Sequence, residues 1–252
     1  MSGAFEGRAV LVTGAGRGIG SAIAAALSEQ GARTALLSRT ASELESVRDQ
    51  IVGRGFPEPA VVVANVGDTE KIGEAADRVV AEIGSVDVLV NNAGVVWPLG
   101  ATVKVDPREW EDSFQVNVFA VLRLTQKLLP GMLERGWGRV VNVSTGAVAY
   151  PGGMVGGNAY VAGKAALEAH SVNLAAEVAG SGVTVNVFRP GAVDTAMQSW
   201  IREQDPEEIG ADLHERFVTR HASGELLTPE DSAAALLAHL GAGGNGQIWD
   251  VP

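Results

Sequence analysis

The sequence contains no cysteine. That absence excludes disulfides, thiolate metal sites and cysteine nucleophiles, and it is compatible with a reducing cytoplasm. Long apolar runs are missing as well. None reaches the roughly 18 residues needed to span a bilayer, although 46% of the residues are hydrophobic. Positive charge is in deficit: Lys and Arg number 19 against 30 Asp and Glu, for a formal net charge of -11. A nonspecific nucleic-acid binder needs a basic surface to release counterions, so that class is disfavoured, and the acidity reads as solubility. The four histidines, His170, His214, His221 and His239, do not cluster with acids, so no metal is expected. Met1 to Gly7 runs straight into a strand-like segment and reads as no signal peptide. A cytoplasmic protein that contacts neither membrane nor nucleic acid is the expectation.

What is present is a regular alternation. Apolar runs of strand length lie at Ala9–Thr13, Thr34–Ser38, Ala60–Asn65, Val86–Asn91, Arg139–Ser144 and Thr184–Arg189, with a short one near Gln247–Val251. They are nearly continuous Val, Leu and Ala, as suits strands covered on both faces of a parallel sheet. Between them lie helical stretches. Ser42 to Glu45 has the spacing of a capping box, and Thr228-Pro-Glu-Asp231 places a cap, a first-turn proline and two acids where the helix dipole favours them. Pro107 to about Arg135 reads as one long helix that Pro130 should kink or end early. Strand and helix in this order predict a single α/β domain, a doubly wound Rossmann-type parallel sheet of about seven strands spanning the whole chain. Residues 193–227 interrupt the pattern and read as a substrate cover.

The first chemical signal is the run Val10-Leu-Val-Thr-Gly14-Ala-Gly16-Arg-Gly18-Ile-Gly20. A buried strand ends at Thr13, glycines carry a tight turn, and a helix starts near Gly18. Such a turn lets backbone amides approach a pyrophosphate. Taken alone the pattern is also that of an ordinary flexible turn.

Its spacing, Thr13-Gly14-x-x-x-Gly18-x-Gly20, resembles the short-chain dehydrogenase/reductase family, and the resemblance runs along nearly the whole chain. Asn91-Asn92-Ala93-Gly94 follows the fourth strand, Val116-Asn117-Val118 lies in the long helix, and Ser144-Thr145 ends the fifth strand. Tyr160-Val-Ala-Gly-Lys164 comes next, and Arg189-Pro190-Gly191 ends the sixth strand. The family implies a nicotinamide dinucleotide bound by Gly14, Gly16, Arg17, Gly18, Ile19 and Gly20, with Asn91, Ala93 and Gly94 lining the adenosine side. It further implies nicotinamide contacts from Pro190, Gly191, Val193 and Thr195, and ribose contacts from Tyr160 and Lys164.

Members preferring NAD resemble one another in an aspartate where Ser38 stands. Here no carboxylate at that place repels a 2′-phosphate, and Arg39 offers a charged donor fork, with Arg17 a second cation on the same side. NADP(H) is therefore expected over NAD(H). Asn65, beside Val66, stands where the family usually has an aspartate; its carbonyl can still accept a bond from the adenine amino group.

Tyr160 and Lys164 are four apart and share one helix face. A phenol is a weak base at neutral pH, and a nearby ammonium favours its ionised form. By resemblance Tyr160 is the general acid in reduction and general base in oxidation. The hydroxyl that holds the substrate oxygen is a serine in the family; Thr145 occupies that place, and Ser144 would take it if the register shifted by one. Asn117, by resemblance, bonds a backbone carbonyl and holds a water in a proton relay to Lys164. The reaction implied is hydride transfer between NADP(H) and a carbonyl or secondary alcohol. Trp97, Val148, Met154, Met197 and Trp200 fall in loops that either form an apolar substrate pocket or pack the cover. A non-catalytic nucleotide sensor of the same fold is the rival, and it usually lacks the tyrosine or the lysine. The family also implies a homo-oligomer, tetramer or dimer.

Overall fold

The computed structural model describes residues 4–68 and 70–251. Met1 to Gly3, which open the stretch read above as no signal peptide, lie outside the described residues. Among the described residues there are seven strands: β1 (Ala9–Thr13), β2 (Arg33–Ser38), β3 (Ala60–Val63), β4 (Val88–Asn91), β5 (Gly138–Val143), β6 (Val183–Arg189) and β7 (Ile248–Asp250). They pair in parallel in the order β3-β2-β1-β4-β5-β6-β7. The helices are α1 (Gly18–Glu29), α2 (Ala41–Gly53), α3 (Ile72–Ile83), α4 (Pro107–Phe114), α5 (Ala120–Glu134) and α6 (Asn158–Glu177). They are followed by α7 (Ala196–Arg202), α8 (Pro206–Ile209), α9 (Ala211–Ala222) and α10 (Pro229–Ala242).

The near-continuous apolar strands are explained by two cores, one on each face. Ala9 and Leu11 point toward α3, α5 and α6, packing with Val79, Leu124 and Leu174. Val10 and Val12, one residue out of phase, point toward α1, α2 and α10, packing with Ile23, Val47 and Leu236. Period-two alternation thus persists, but both phases must be apolar because both faces are covered. The strand order reverses between β1 and β4, and this is the switch point where crevices open at the carboxyl ends of strands.

Two local expectations are corrected. Ser42 does not cap α2: the helix starts one residue earlier, with Thr40 as its N-cap and no side-chain cap bond, so Ser42 lies inside the first turn. The capping box at Thr228 and Asp231 does form. Pro130 does not end its helix, since α5 runs on to Glu134. The proline is exposed, as is Gln126 four residues earlier, so the carbonyl it leaves without a donor can turn to water. The irregularity sits upstream instead, where Gln115–Phe119 forms a π-helical turn between α4 and α5.

Candidate active site

The glycine turn is braced from the neighbouring strand. Thr13 at the end of β1 accepts the backbone amides of Asn92 and Ala93 on its hydroxyl, both at 3.0 Å. The Asn92 side-chain amide returns the contact, donating to the carbonyl of Thr13 at 2.9 Å and of Gly14 at 3.3 Å. At Gly20 a β-carbon would collide with the Gly14 carbonyl oxygen, so the first turn of α1 closes on the strand end only because no side chain is there. Gly18 faces the Thr195 side chain, whose methyl would lie 3.4 Å from a β-carbon at that position. The first strand-to-helix turn and the turn after β6 therefore meet. Gly16 is buried, Ile19 is half-buried against the α1 core, and Arg17 is exposed as the N-cap residue of α1.

On the β2 side of the crevice, Ser38 ends β2 half-buried and Arg39 follows it exposed. Arg17 reaches across to Glu43 in the first turn of α2, with 3.4 Å between guanidinium and carboxylate. Asn65 is exposed, its carbonyl accepting the Gly67 amide at 3.1 Å, and Val66 is buried. The Asn91 side chain does not face the crevice: it is buried and donates to Asn142 on β5 at 2.9 Å, leaving its backbone for any ligand.

The π turn places Asn117. Its buried side chain pairs with the backbone of Val95 in both directions: the amide donates to the Val95 carbonyl at 2.9 Å and the carbonyl accepts the Val95 amide at 3.1 Å. Ser113, one turn back, accepts a further bond at 3.1 Å. A side-chain amide here imitates a strand partner and fixes the segment after β4. Gly94 lies within that segment, and a β-carbon on it would stand 3.0 Å from the Asn117 oxygen and 3.3 Å from the Lys164 nitrogen.

Helix α6 supplies Tyr160 and Lys164. Both are buried, and the Lys164 ammonium donates to the Val143 carbonyl at the end of β5 at 2.8 Å. Burial lowers the Lys164 pKa from its usual 10.5 to about 8, with Glu168 opposing the shift. Burial pushes the Tyr160 phenol up, and the neighbouring Thr145 hydroxyl pulls it back. Thr145 also accepts the Ala147 amide at 3.3 Å. Ser144 points the other way. Its hydroxyl donates to Glu168 at 2.6 Å, and Glu168 takes two bonds from Arg189 at 2.9 and 2.8 Å. Arg189 reaches on to Asp250 at 2.9 Å.

After β6 the turn Pro190-Gly191-Ala192-Val193 is tied down by its neighbours. Ser232 donates to the Pro190 carbonyl at 3.0 Å, and Leu227 bridges to Val193 with a backbone bond on each side. From there α7, α8 and α9 pack Met197, Trp200, Ile201, Ile209 and Leu213 into one apolar cluster with Tyr160 and Met154. Met154 is buried in this cluster, whereas Trp97 and Val148 are half-buried outside it.

Three side chains that position the others were given no role from the sequence. Asn92 stood inside a quoted motif, but its two carbonyl contacts span 78 and 79 residues and are invisible to local spacing. Glu168 had a usable signal, because it follows Lys164 by four on the same helix face. Ser232 had none. Among the described residues, no group of three or more His, Cys, Asp or Glu is gathered as a metal site.

The chain is similar to known proteins over most of its length. The family model described as short chain dehydrogenase matches residues 8–206. The 3-oxoacyl-(acyl-carrier-protein) reductase FabG of Escherichia coli is 36% identical over 193 residues, which cover 77% of this chain and 76% of that protein. The 2,3-dihydro-2,3-dihydroxybenzoate dehydrogenase of the same organism is 33% identical over 235 residues, covering 92% and 89%. Among solved structures, a variant of the actinorhodin polyketide ketoreductase with NADPH superposes with a TM-score of 0.86 at 31% identity, covering 97% of this chain and 95% of that one. The chain belongs to the short-chain dehydrogenase family.

Proposed function

We propose that this chain is an NADP(H)-dependent oxidoreductase that interconverts a carbonyl and a secondary alcohol, on a substrate with a hydrophobic body. The observation that carries the reading is the meeting of Thr145, Tyr160 and Lys164 at the end of β5, beside the braced glycine turn. That turn fits a dinucleotide: it presents backbone without side chains at Gly14, Gly16 and Gly20, and Gly18 meets Thr195 across it. When bound, the nicotinamide supplies or accepts the hydride. Gly14, Gly16, Gly18, Ile19 and Gly20 hold the pyrophosphate, and Pro190, Gly191, Val193 and Thr195 hold the carboxamide end. Asn65, Val66, Ala93, Gly94 and the Asn91 backbone bound the adenosine half. Arg17, Ser38 and Arg39 receive the 2′-phosphate, in keeping with the NADPH in the related polyketide ketoreductase.

In reduction, the Thr145 and Tyr160 hydroxyls both hydrogen-bond the substrate oxygen. Tyr160 gives its proton to that oxygen as the carbonyl carbon is reduced. Its raised pKa suits this, because the phenol stays protonated until the substrate oxygen gains charge. Lys164, lowered to about 8, stabilises the phenolate and is acidic enough to pass a proton back near neutral pH. Asn117 keeps the segment after β4 against Lys164. The chain forms one domain with residues 193–227 as cover, supported by the apolar packing of α7, α8 and α9 over Tyr160. Exposed Phe119 at the end of the π turn, Leu133 on α5 and Val172 on α6 support a homo-oligomer, dimer or tetramer, and the proposed location is cytoplasmic.

The test is a fluorescence titration with NADPH and NADH, followed by a panel of ketones, aldehydes and 3-oxoacyl thioesters. NADPH binding with turnover on a carbonyl is expected. Binding without turnover across the panel overturns the catalytic reading, and no binding of either nucleotide overturns the cofactor.

A further inference from the structure

Within the proposed 2′-phosphate site one charge has the wrong sign. Glu43, in the first turn of α2, directs one carboxylate oxygen at the Arg17 guanidinium, 3.4 Å away. Its other oxygen lies over the glycine turn: a β-carbon on Gly16 would stand 3.0 Å from it and 3.0 Å from the Ser38 hydroxyl oxygen. The carboxylate therefore sits among Gly16, Arg17 and Ser38, and Arg17 and Ser38 are two of the three residues assigned to the 2′-phosphate. Its side chain is 34% exposed, so it is neither fully screened by water nor locked in place by packing. Its position at the start of α2 is also favourable toward the helix dipole, which gives the charge a reason to remain there.

A carboxylate and a phosphate cannot share one guanidinium at contact distance without mutual repulsion. A neutral ribose 2′-hydroxyl has no such conflict and can donate to the carboxylate. Resting on the NADP(H) reading above, we infer that Glu43 is a specificity-determining residue: it pairs with Arg17 in the cofactor-free protein, and NADP(H) must displace it. Arg17 and Arg39 pull toward NADP(H), and Glu43 pulls toward NAD(H). The chain accordingly accepts both nucleotides with a narrower margin than its two arginines alone would set.

The experiment measures dissociation constants for NADPH and NADH by nicotinamide fluorescence, without substrate, in wild type, Glu43→Gln and Glu43→Ala. Both variants should bind NADPH more tightly and raise its preference over NADH about three- to tenfold, the range expected for removing one partly screened like charge. The two variants replace the charge with different side chains, so a shared shift isolates the charge itself. A preference that rises less than threefold in both variants, or falls, overturns the role of Glu43 while leaving the cofactor reading intact. Failure of the wild type to bind either nucleotide overturns both.

Discussion

Ser144 and Thr145 are neighbours at the end of β5, yet their hydroxyls face opposite directions. Ser144 donates to buried Glu168 at 2.6 Å, whereas Thr145 faces the Tyr160 phenol. Strand geometry sends successive side chains to opposite sides, so one hydroxyl serves the interior and the other the crevice.

This division of labour separates two variants. Thr145→Ala should lower kcat by about a hundredfold or more, the scale of losing one hydrogen-bond donor to a reacting oxygen, with little change in Tm. Ser144→Ala should do the reverse. It removes a charge-assisted bond worth about 1.5–3 kcal/mol of stability and leaves kcat within a few-fold. Steady-state kinetics and thermal unfolding of both variants decide it, and a larger kcat loss in Ser144→Ala would move the substrate-binding role proposed for Thr145 to Ser144.

Glu168 and Arg189 form a buried ion pair with two hydrogen bonds, joining α6 to the end of β6. Removing one partner of a fully buried pair costs about 3–5 kcal/mol, but Arg189 keeps Asp250 as a partner at 2.9 Å, so the loss should fall below that range, at about 1–3 kcal/mol. Glu168→Ala should show that loss in urea unfolding, and adding Arg189→Leu should recover part of it. If the double variant is weaker by the full sum of the single losses, the two side chains do not act as a pair.

Lys164 gives a pH signature. Its pKa falls from 10.5 to about 8 on folding, so burial penalises the charged form. Below about pH 8 both folded and unfolded chains hold the proton and the penalty is complete; as pH rises toward 10.5 only the unfolded chain keeps it. Stability attributable to this residue therefore increases with pH, by about 2 kcal/mol between about pH 7.5 and 9.5. Relative to Lys164→Met, the wild type should gain that amount in urea unfolding across this window. A difference that stays flat would mean that the ammonium is not desolvated.

Gly94 should tolerate no side chain. A methyl group there would press on Asn117 and Lys164 together, so Gly94→Ala should cost about 1–3 kcal/mol as overpacking and depress kcat by shifting the lysine. Unaltered kcat at full stability would show that the segment after β4 can move aside.

Much of the fold was legible because it depends on local pattern. The apolar runs gave β1 to the residue, and the proline and acids after Thr228 gave the start of α10. The residues proposed as catalytic stood out only through resemblance, since a tyrosine and lysine four apart occur on many helix faces. What stayed hidden depends on contacts distant in sequence or on the exposure of one carbonyl. Pro130 stands in a helix on its exposed side, where the carbonyl freed at Gln126 can turn to water, and Ser42 yields the cap position to Thr40, which caps nothing with its side chain. Asn91 reads as a crevice residue in the motif, but its side chain belongs to the sheet interior.

The π turn at Gln115–Phe119 has a consequence for chain length. Such a turn stores one residue more than a regular helical turn, and each residue in a helix rotates everything after it by about 100°. Deleting any single residue between Pro107 and Leu128 would let the helix become regular. It would also swing either Asn117 away from Val95 or the apolar face of α5 away from the sheet. Insertions and deletions in this family member should therefore survive in the loop before Pro107 and be purged within the rod that follows it, so that the helix length is inherited as strictly as the residues it carries.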